Sequence, residues 1–327
     1  MIIITGGSGF IGSNLAKSLN TDGEEDLLII EELDKNKDKF ENITDIKYID
    51  CIDKYEFIEN LKNNTKFANS INIIFHMGAC SKTTEKDREY VMETNLEYSK
   101  ELLHFCSNNS KSLIYASSAS VYGNNRTFVE EEKNEETLNH YADSKLQFDN
   151  YFRDNQNKIS SQVVGLRYFN VYGPREQHKT GMHSVVLSFY NQLERQESIK
   201  LFKASHGYAD GEQRRDFIHV DDTVKVKKWF SSKNNISGIY NVGTGESRSF
   251  NDVAKNVIQS YNQGDISYIE FPEGLEAQYQ AFTEANINKI RECGYETNFL
   301  SIEEGVKKYI DCCLLYTSPS PRDSDTS

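Results

Sequence analysis

The chain is predicted to be an α/β protein, a doubly wound parallel sheet with a smaller α/β domain attached. Three observations point there. An apolar run, Ile2 to Ile4, stops at glycines and is followed by an amphipathic helix with Phe10, Ile11, Leu15 and Leu19 at helical spacing. Gly6, Gly9 and Gly12 in that turn are spaced G-x-x-G-x-x-G. Up to Gly173, apolar strands and helical stretches alternate, a pattern that calls for parallel strands joined by crossovers of the Rossmann type.

The first element carries the most information. Glycines at this spacing allow a tight turn, let backbone N–H groups approach a diphosphate, and let the helix pack close to the strand. The helix N-terminus adds about half a positive charge where the phosphates would sit. Lying between a strand and a helix, Gly6, Gly9 and Gly12, with Phe10 and Ile11, read as a dinucleotide cradle rather than a plain tight turn.

The following elements extend that reading. Residues 27–30 form a second buried strand ending at Glu31 and Glu32. An acidic residue about 20 positions beyond the glycines holds the adenosine ribose hydroxyls in such folds, which favours NAD. Lys35, Lys37 and Lys39 follow at once. They suit a 2′-phosphate, or else form a solvated lysine-rich loop. Residues 46–50 suggest a third strand and 53–61 a helix, with Asp50 placed to cap it or to meet the adenine edge. Residues 71–76 form a fourth strand, and Met77, Gly78, Ala79, Cys80 and Ser81 a small-residue turn beside the cofactor. A long helix from about 87 to 108 turns Val91, Leu102, Leu103 and Cys106 inward and contains Asn95.

A fifth strand, 112–116, leads into Ser117 and Ser118, followed by a solvated acidic loop over 130–136. The next helix opens near Leu138 and contains Tyr141-Ala-Asp-Ser-Lys145. Residues 162–168 form a sixth strand that runs into Phe169-Asn-Val-Tyr-Gly-Pro-Arg-Glu176. Beyond Gly173 the alternation becomes irregular. The expected division is a dinucleotide-binding domain of 1–174 plus 216–244 and a substrate domain of 175–215 plus 245–312. Residues 313–327 change composition abruptly and hold two of the four prolines in the chain. That string resembles translated adapter sequence and is set aside as a non-native tail.

Bulk properties narrow the function classes. A formal charge of −13 argues against a protein that coats nucleic acid or binds membranes through a polybasic face. No apolar run is long enough to span a bilayer, and the N-terminus is a core strand without a signal-like segment. A cytoplasmic protein is expected. The six cysteines form no C-x-x-C and the seven histidines no H-E-x-x-H, so no metal site is expected.

The candidate chemistry sits on the helix after the fifth strand. Tyr141 and Lys145, four apart, share one face. A phenol titrates near 10 in water, too high for a base at neutral pH. A nearby ammonium and a positive nicotinamide ring would lower it. Ser118 can hydrogen-bond the same substrate oxygen. Tyr-x3-Lys occurs by chance in many helices. After a glycine turn and a Ser-Ser turn at these intervals it reads as catalytic rather than incidental.

With these motifs in hand, the chain resembles the extended short-chain dehydrogenase/reductases, the family of sugar-nucleotide epimerases and dehydratases. The segments His76-Met-Gly-Ala-Cys-Ser-Lys-Thr-Thr84, Tyr98-Ser-Lys-Glu-Leu-Leu103, Arg167-Tyr-Phe-Asn-Val-Tyr-Gly-Pro-Arg-Glu-Gln-His-Lys179 and Tyr279-Gln-Ala-Phe-Thr283 narrow it further. They are similar to the 6-epimerases of ADP-heptose, and the resemblance runs from residue 1 to about 310.

The resemblance implies an isomerase that inverts C6 of ADP-D-glycero-β-D-manno-heptose to give the L-glycero epimer, a precursor of lipopolysaccharide core heptose. Bound NADP would take hydride from C6, giving a ketone, and return it to the opposite face. Tyr141 would be the acid/base on one side, helped by Lys145 and Ser118, and Lys179 on the other. Lys179 alternatively clamps phosphate or belongs to a solvated loop. Asn170, Gly181 and Ser188 would bind substrate. Phe202, Lys203, Ala204, Ser205 and Arg215 would hold the nucleotide and diphosphate, and Tyr279 would close the site. Arg214 and Arg215 read alternatively as a surface pair. Glu31, Glu32, Lys39, Lys54, Asn95 and Val171 would join the 77–81 turn around the cofactor. A homo-oligomer, a pentamer, is the family expectation.

The chain departs from the family pattern in four places. Met77 stands where the family has an acidic residue. Glu31-Glu32 replaces Asp-Asn, and a second carboxylate suits a 2′-phosphate poorly, which leaves NAD open beside NADP. Ser188 replaces a histidine, and the loop at 206–214 is longer. Two rivals are set beside this reading. One is an epimerase or dehydratase of a UDP- or dTDP-hexose, although a dehydratase places Asp-Glu where Ser118-Ala119 does not fit. The other is a non-catalytic NAD(P)-sensing regulator, which tends to lose the Tyr-Lys pair intact here.

Overall fold

The computed structural model describes residues 1–34, 37–276 and 279–317; Lys35 and residues 318–327 of the expected tail lie outside them. The strands are β1 (Ile2–Thr5), β2 (Leu27–Glu31), β3 (Asp50–Asp53), β4 (Ile73–His76), β5 (Ser112–Ser118) and β6 (Val163–Tyr168), followed by β7 (Asn170–Tyr172), β8 (Ile199–Phe202), β9 (Arg214–His219), β10 (Gly238–Val242), β11 (Ser247–Ser249) and β12 (Ile266–Ile269). Among the described residues seven form one sheet in the order β10-β6-β5-β4-β1-β2-β3. Every pairing in it is parallel.

The alternation of side chains along these strands explains why helices cover both faces. Ile4, Ile29, Phe75, Ile114 and Val164 pack on one face with Leu15 and Ala16 of the Phe10–Thr21 helix and Val224 and Phe230 of the Val220–Ser231 helix. Their neighbours Ile3, Leu28, Ile74, Leu113 and Val163 pack on the other with Phe57, Leu102, Leu103, Phe148 and Phe152. A strand buried on both faces has no polar side to expose, which is why these runs are continuously apolar.

Three local expectations shift. The third strand is β3, several residues later than 46–50, because Ile46 packs into the core from a loop and the strand begins only at Asp50. Asp50 bonds the Cys51 N–H, while Asp53 caps the Lys54–Asn63 helix by accepting from Tyr55 N at 2.8 Å. The helix over 87–108 is not uniform: it runs Arg88–Met92, passes through a π-turn at Glu93–Glu97, and resumes at Tyr98–Asn108.

Beyond β6 the chain builds a second core. Tyr172, Val186, Phe189, Leu193, Leu201, Phe217, Val253, Val257, Val306 and Tyr309 gather there, contributed largely by the helices Val185–Glu194, Phe250–Tyr261 and Ile302–Thr317. The short sheets β7-β9-β11 and β8-β12 lie alongside. The last helix continues past residue 312, and Cys313 is buried in this core, so the expected tail boundary at 313 falls inside an ordered helix. No helix among the described residues is long and apolar enough to cross a membrane.

Candidate active site

The glycine turn fits a dinucleotide. Gly6 has φ +63°, and a Cβ there would lie 2.6 Å from Gly78 Cα; a Cβ on Gly12 would lie 2.2 Å from Gly6 O. Side chains at those two positions would pry apart the first turn, the helix and the 77–81 turn. The Phe10–Thr21 helix opens at Gly9 with no side-chain cap and no acidic residue in its first turn. Its N-terminal amides and dipole are thus left for an anion.

The loops around the turn are tied to it. Ser8 donates from N (2.9 Å) and Oγ (2.7 Å) to Glu31 Oε1, and the Lys39 ammonium pairs with the other Glu31 oxygen. Lys54 stands 3.4 Å from Glu32. Each acid at the end of β2 therefore has a lysine beside it. Asn42 Nδ2 donates to Ser8 O and Arg175 O, both at 3.0 Å, and lies 3.1 Å from His178 Nδ1. Arg175 returns a bond to Asn42 O and pairs with Asp45 at 2.8 Å. Asn42 thus straps the segment bearing Lys179 onto the glycine turn. No sequence signal marks it among the polar residues of its loop.

Behind the 77–81 turn lies a buried polar chain. His76 Nδ1 meets Thr5 Oγ1 at 2.6 Å and its Nε2 meets Ser99 Oγ at 2.8 Å; burial pushes its pKa down to about 3, so the ring is neutral. Asn95, turned inward by the π-turn, accepts from Cys80 N at 2.8 Å and donates to Cys80 O and Ser144 Oγ, both at 3.0 Å. It holds the turn against the helix of Tyr141 and Lys145. Met77 receives a contact from Tyr168 OH at 3.8 Å.

Tyr141, Lys145 and Ser118 come together at the end of β5. Asn139 caps their helix, His140–Asn155, accepting from Ala142 N at 2.9 Å. Lys145 Nζ donates to Ala116 O at 2.8 Å and lies 6.0 Å from the Tyr141 ring centroid. Burial raises the Tyr141 phenol, opposed by a hydrogen bond to Ser118. Burial also lowers Lys145, to about 8. The expectation that Lys145 depresses Tyr141 is not met in the protein alone, because its ammonium is bound to a carbonyl and the phenol is desolvated.

Lys179 approaches from the other loop, its Nζ 4.8 Å from the Phe10 ring centroid at the helix opening. Burial lowers its pKa and Glu176 raises it. Glu176 is itself buried, accepting from Ser184 N and Oγ at 2.6 Å each. Gly181 is exposed at φ +71°. Ser188 Oγ accepts from Gln192 on its own helix at 3.4 Å. Val171 lies in β7, half-buried against the first core, and the exposed Asn170 reaches Thr283 Oγ1 at 3.4 Å.

The expected nucleotide-binding residues divide. Arg215 is buried, its guanidinium 5.1 Å from the Tyr279 ring centroid, and among the described residues it forms no ion pair. Arg214 instead bonds Ser247 Oγ at 3.2 Å and Ser247 O at 2.5 Å, so the two are not a surface pair. Phe202 stacks on Phe271 at 4.2 Å and meets the Tyr279 ring edge-on. Lys203 is exposed and paired with Glu270 at 2.5 Å. The longer loop folds back on this segment: Asp210 accepts from Ala204 N at 2.8 Å, Ser205 pairs with Tyr208, and Gln213 donates to Ser205 Oγ at 2.9 Å. Ala204 and Ser205 therefore contribute backbone groups already in use. Among the described residues no group of three His, Cys, Asp or Glu side chains could hold a metal ion.

Fold and site together define a dinucleotide-dependent enzyme with a tyrosine–lysine pair. The sequence profile of the NAD dependent epimerase/dehydratase family matches residues 2–243, and the chain belongs to that family. It is 48% identical over 311 residues to the ADP-L-glycero-D-manno-heptose-6-epimerase of Alkalilimnicola ehrlichii, covering 95% of this chain and 97% of the relative. Identity to the protein of the same name from Brachyspira hyodysenteriae is also 48%, over 316 residues, with the same coverage of both chains. The crystal structure of the Helicobacter pylori ADP-L-glycero-D-manno-heptose-6-epimerase superposes with a TM-score of 0.80 at 30% identity, covering 95% of each chain.

Proposed function

We propose that this chain interconverts the C6 epimers of ADP-glycero-β-D-manno-heptose. The observation that carries the reading is its near full-length 48% identity to relatives named for that activity. The site supports it: a buried arginine, Arg215, without an acidic partner among the described residues suits a diphosphate, which arginine's fork geometry binds in bidentate fashion.

A bound nicotinamide dinucleotide supplies reversible hydride chemistry, so one carbon can be oxidised to a ketone and reduced again without net redox change. Tyr141 takes and returns the proton of the C6 hydroxyl on one face, with Ser118 orienting that oxygen. Lys145 assists Tyr141 from the same helix face, and Lys179 serves the opposite face. Residues 1–174 with 216–244 carry the cofactor, and 175–215 with 245–312 the substrate. NADP is the proposed cofactor, because Lys39 and Lys54 stand beside Glu31 and Glu32 where a 2′-phosphate would otherwise meet uncompensated carboxylates. A homo-oligomer in the cytoplasm completes the reading.

The test is direct. Incubated with ADP-D-glycero-β-D-manno-heptose, the protein should yield the L-glycero epimer until the two reach equilibrium, resolved by chromatography. Turnover of a UDP- or dTDP-hexose with none of the heptose would sink the assignment.

A further inference from the structure

A buried ionic cluster lies directly behind the catalytic pair. Asp149, fully buried, accepts from Tyr115 OH at 2.8 Å through Oδ1. Its Oδ2 accepts from Ser117 Oγ and Arg167 Nε, both at 2.9 Å. Arg167, also fully buried, continues to Glu135 at 2.6 Å, which is held in turn by Arg153 at 2.6 Å. Asp149 and Arg167 are wholly removed from water, which is costly, and a packed apolar pair would serve stability as well.

The placement shows what the cluster could do instead. Tyr141, Lys145 and Asp149 lie four apart along one helix and share a face. Tyr115 and Ser117 of β5 bond Asp149, while Ala116 O between them holds Lys145. One carboxylate thereby fixes the two residues on either side of Ala116, and one of them, Ser117, also precedes Ser118.

We propose that Asp149 is a positioning residue for the reaction: it locks the end of β5, with Ala116 and Ser118, against the catalytic helix. That role rests on the bonds of Asp149 to Tyr115 and Ser117 and of Lys145 to Ala116 O. The charge of Asp149 bears on Lys145 as well: the groups facing that amine are Tyr141 and Asp149 on its own helix, His76 on β4, Cys80 in the turn, and Ala116 O on β5. His76 is neutral, and the Asp149 carboxylate opposes the fall that burial imposes on Lys145. The kinetic part of the proposal depends on the epimerase reading; the titration does not.

The test is Asp149→Asn in the full chain. NMR titration of carbon-13-labelled lysine, with the Lys145 signal identified by its loss in Lys145→Gln, should show the midpoint falling by about one pH unit. An unchanged midpoint overturns the electrostatic role, whatever sugar the enzyme uses. With ADP-heptose, kcat should drop roughly tenfold and its alkaline limb move to lower pH, with KM unchanged. An unaltered kcat and pH profile overturns the proposal. If Asp149→Asn does not fold, Ser117→Ala is read instead. It should lower kcat severalfold at constant KM and cofactor content, and an unaffected kcat overturns the positioning role.

Discussion

The guanidinium of Arg215 lies 5.1 Å from the centre of the Tyr279 ring, buried, with no acidic partner among the described residues. A desolvated cation placed over an aromatic face gains only part of what it lost on leaving water. Burial lowers its pKa, as expected for a charge awaiting a counter-ion.

Arg215→Met should therefore separate binding from stability. Losing charge-assisted contacts to a diphosphate is expected to raise KM for ADP-heptose roughly ten- to hundredfold. The melting temperature should hold or rise, since an unpaired buried charge is removed. An unchanged KM would show that Arg215 meets no substrate phosphate.

Tyr141→Phe and Lys179→Met should each remove one proton-transfer group while leaving the cofactor bound. Losing an acid/base of this kind costs roughly a hundredfold or more. Steady-state rates measured from both epimers check it, and full activity in either variant would clear that residue of its role.

Cofactor choice turns on the end of β2. In Lys39→Ala, Glu31 loses its cation and a 2′-phosphate would face a bare carboxylate. The ratio of NADP to NAD affinity is expected to fall about tenfold, read by fluorescence titration of each cofactor. If the ratio stays fixed, Lys39 does not read the 2′-phosphate.

Acid should destabilise the fold through His76. Its folded pKa is depressed to about 3 by burial, while the unfolded chain takes a proton near the ordinary value. The unfolded state thus binds more protons below about pH 6.5, and stability falls as pH drops from there toward 3. Urea titrations across that window should show a gentler fall for His76→Gln. Equal slopes would assign the acid sensitivity to other groups.

Ending the chain after Asp311 deletes Cys313, which packs in the core that holds Tyr309 and Ile310. Compared with a chain ending after Thr317, unfolding free energy should fall by about 1 to 3 kcal/mol. Coincident denaturation curves would show that Cys313 adds nothing.

The sheet was legible because a strand buried on both faces must be continuously apolar, as Ile2–Ile4 and Leu27–Ile30 are. Boundaries were less so: Ile46 looks like a strand residue but fills the core from a loop, so β3 starts later. Tyr141, Lys145 and Ser118 could be paired from spacing alone, whereas their titration depends on desolvation, which spacing does not encode. Asn42 bonds Arg175, 133 residues along the chain, and Asp149 bonds Tyr115 and Ser117, 34 and 32 residues before it. Such partners exist only once the fold is closed. Folding of the longer loop onto Ala204 and Ser205 was equally invisible, because Asp210 and Tyr208 are ordinary turn residues until their partners are known.

Redox epimerisation requires that the electrons removed from C6 return to the same carbon. The decisive measurement converts ADP-D-glycero-β-D-manno-heptose deuterated at C6 in ordinary water and weighs the product by mass spectrometry. The L-glycero product should keep its deuterium in full. Loss of the label to solvent would mean a proton was abstracted from carbon, and redox epimerisation would be contradicted.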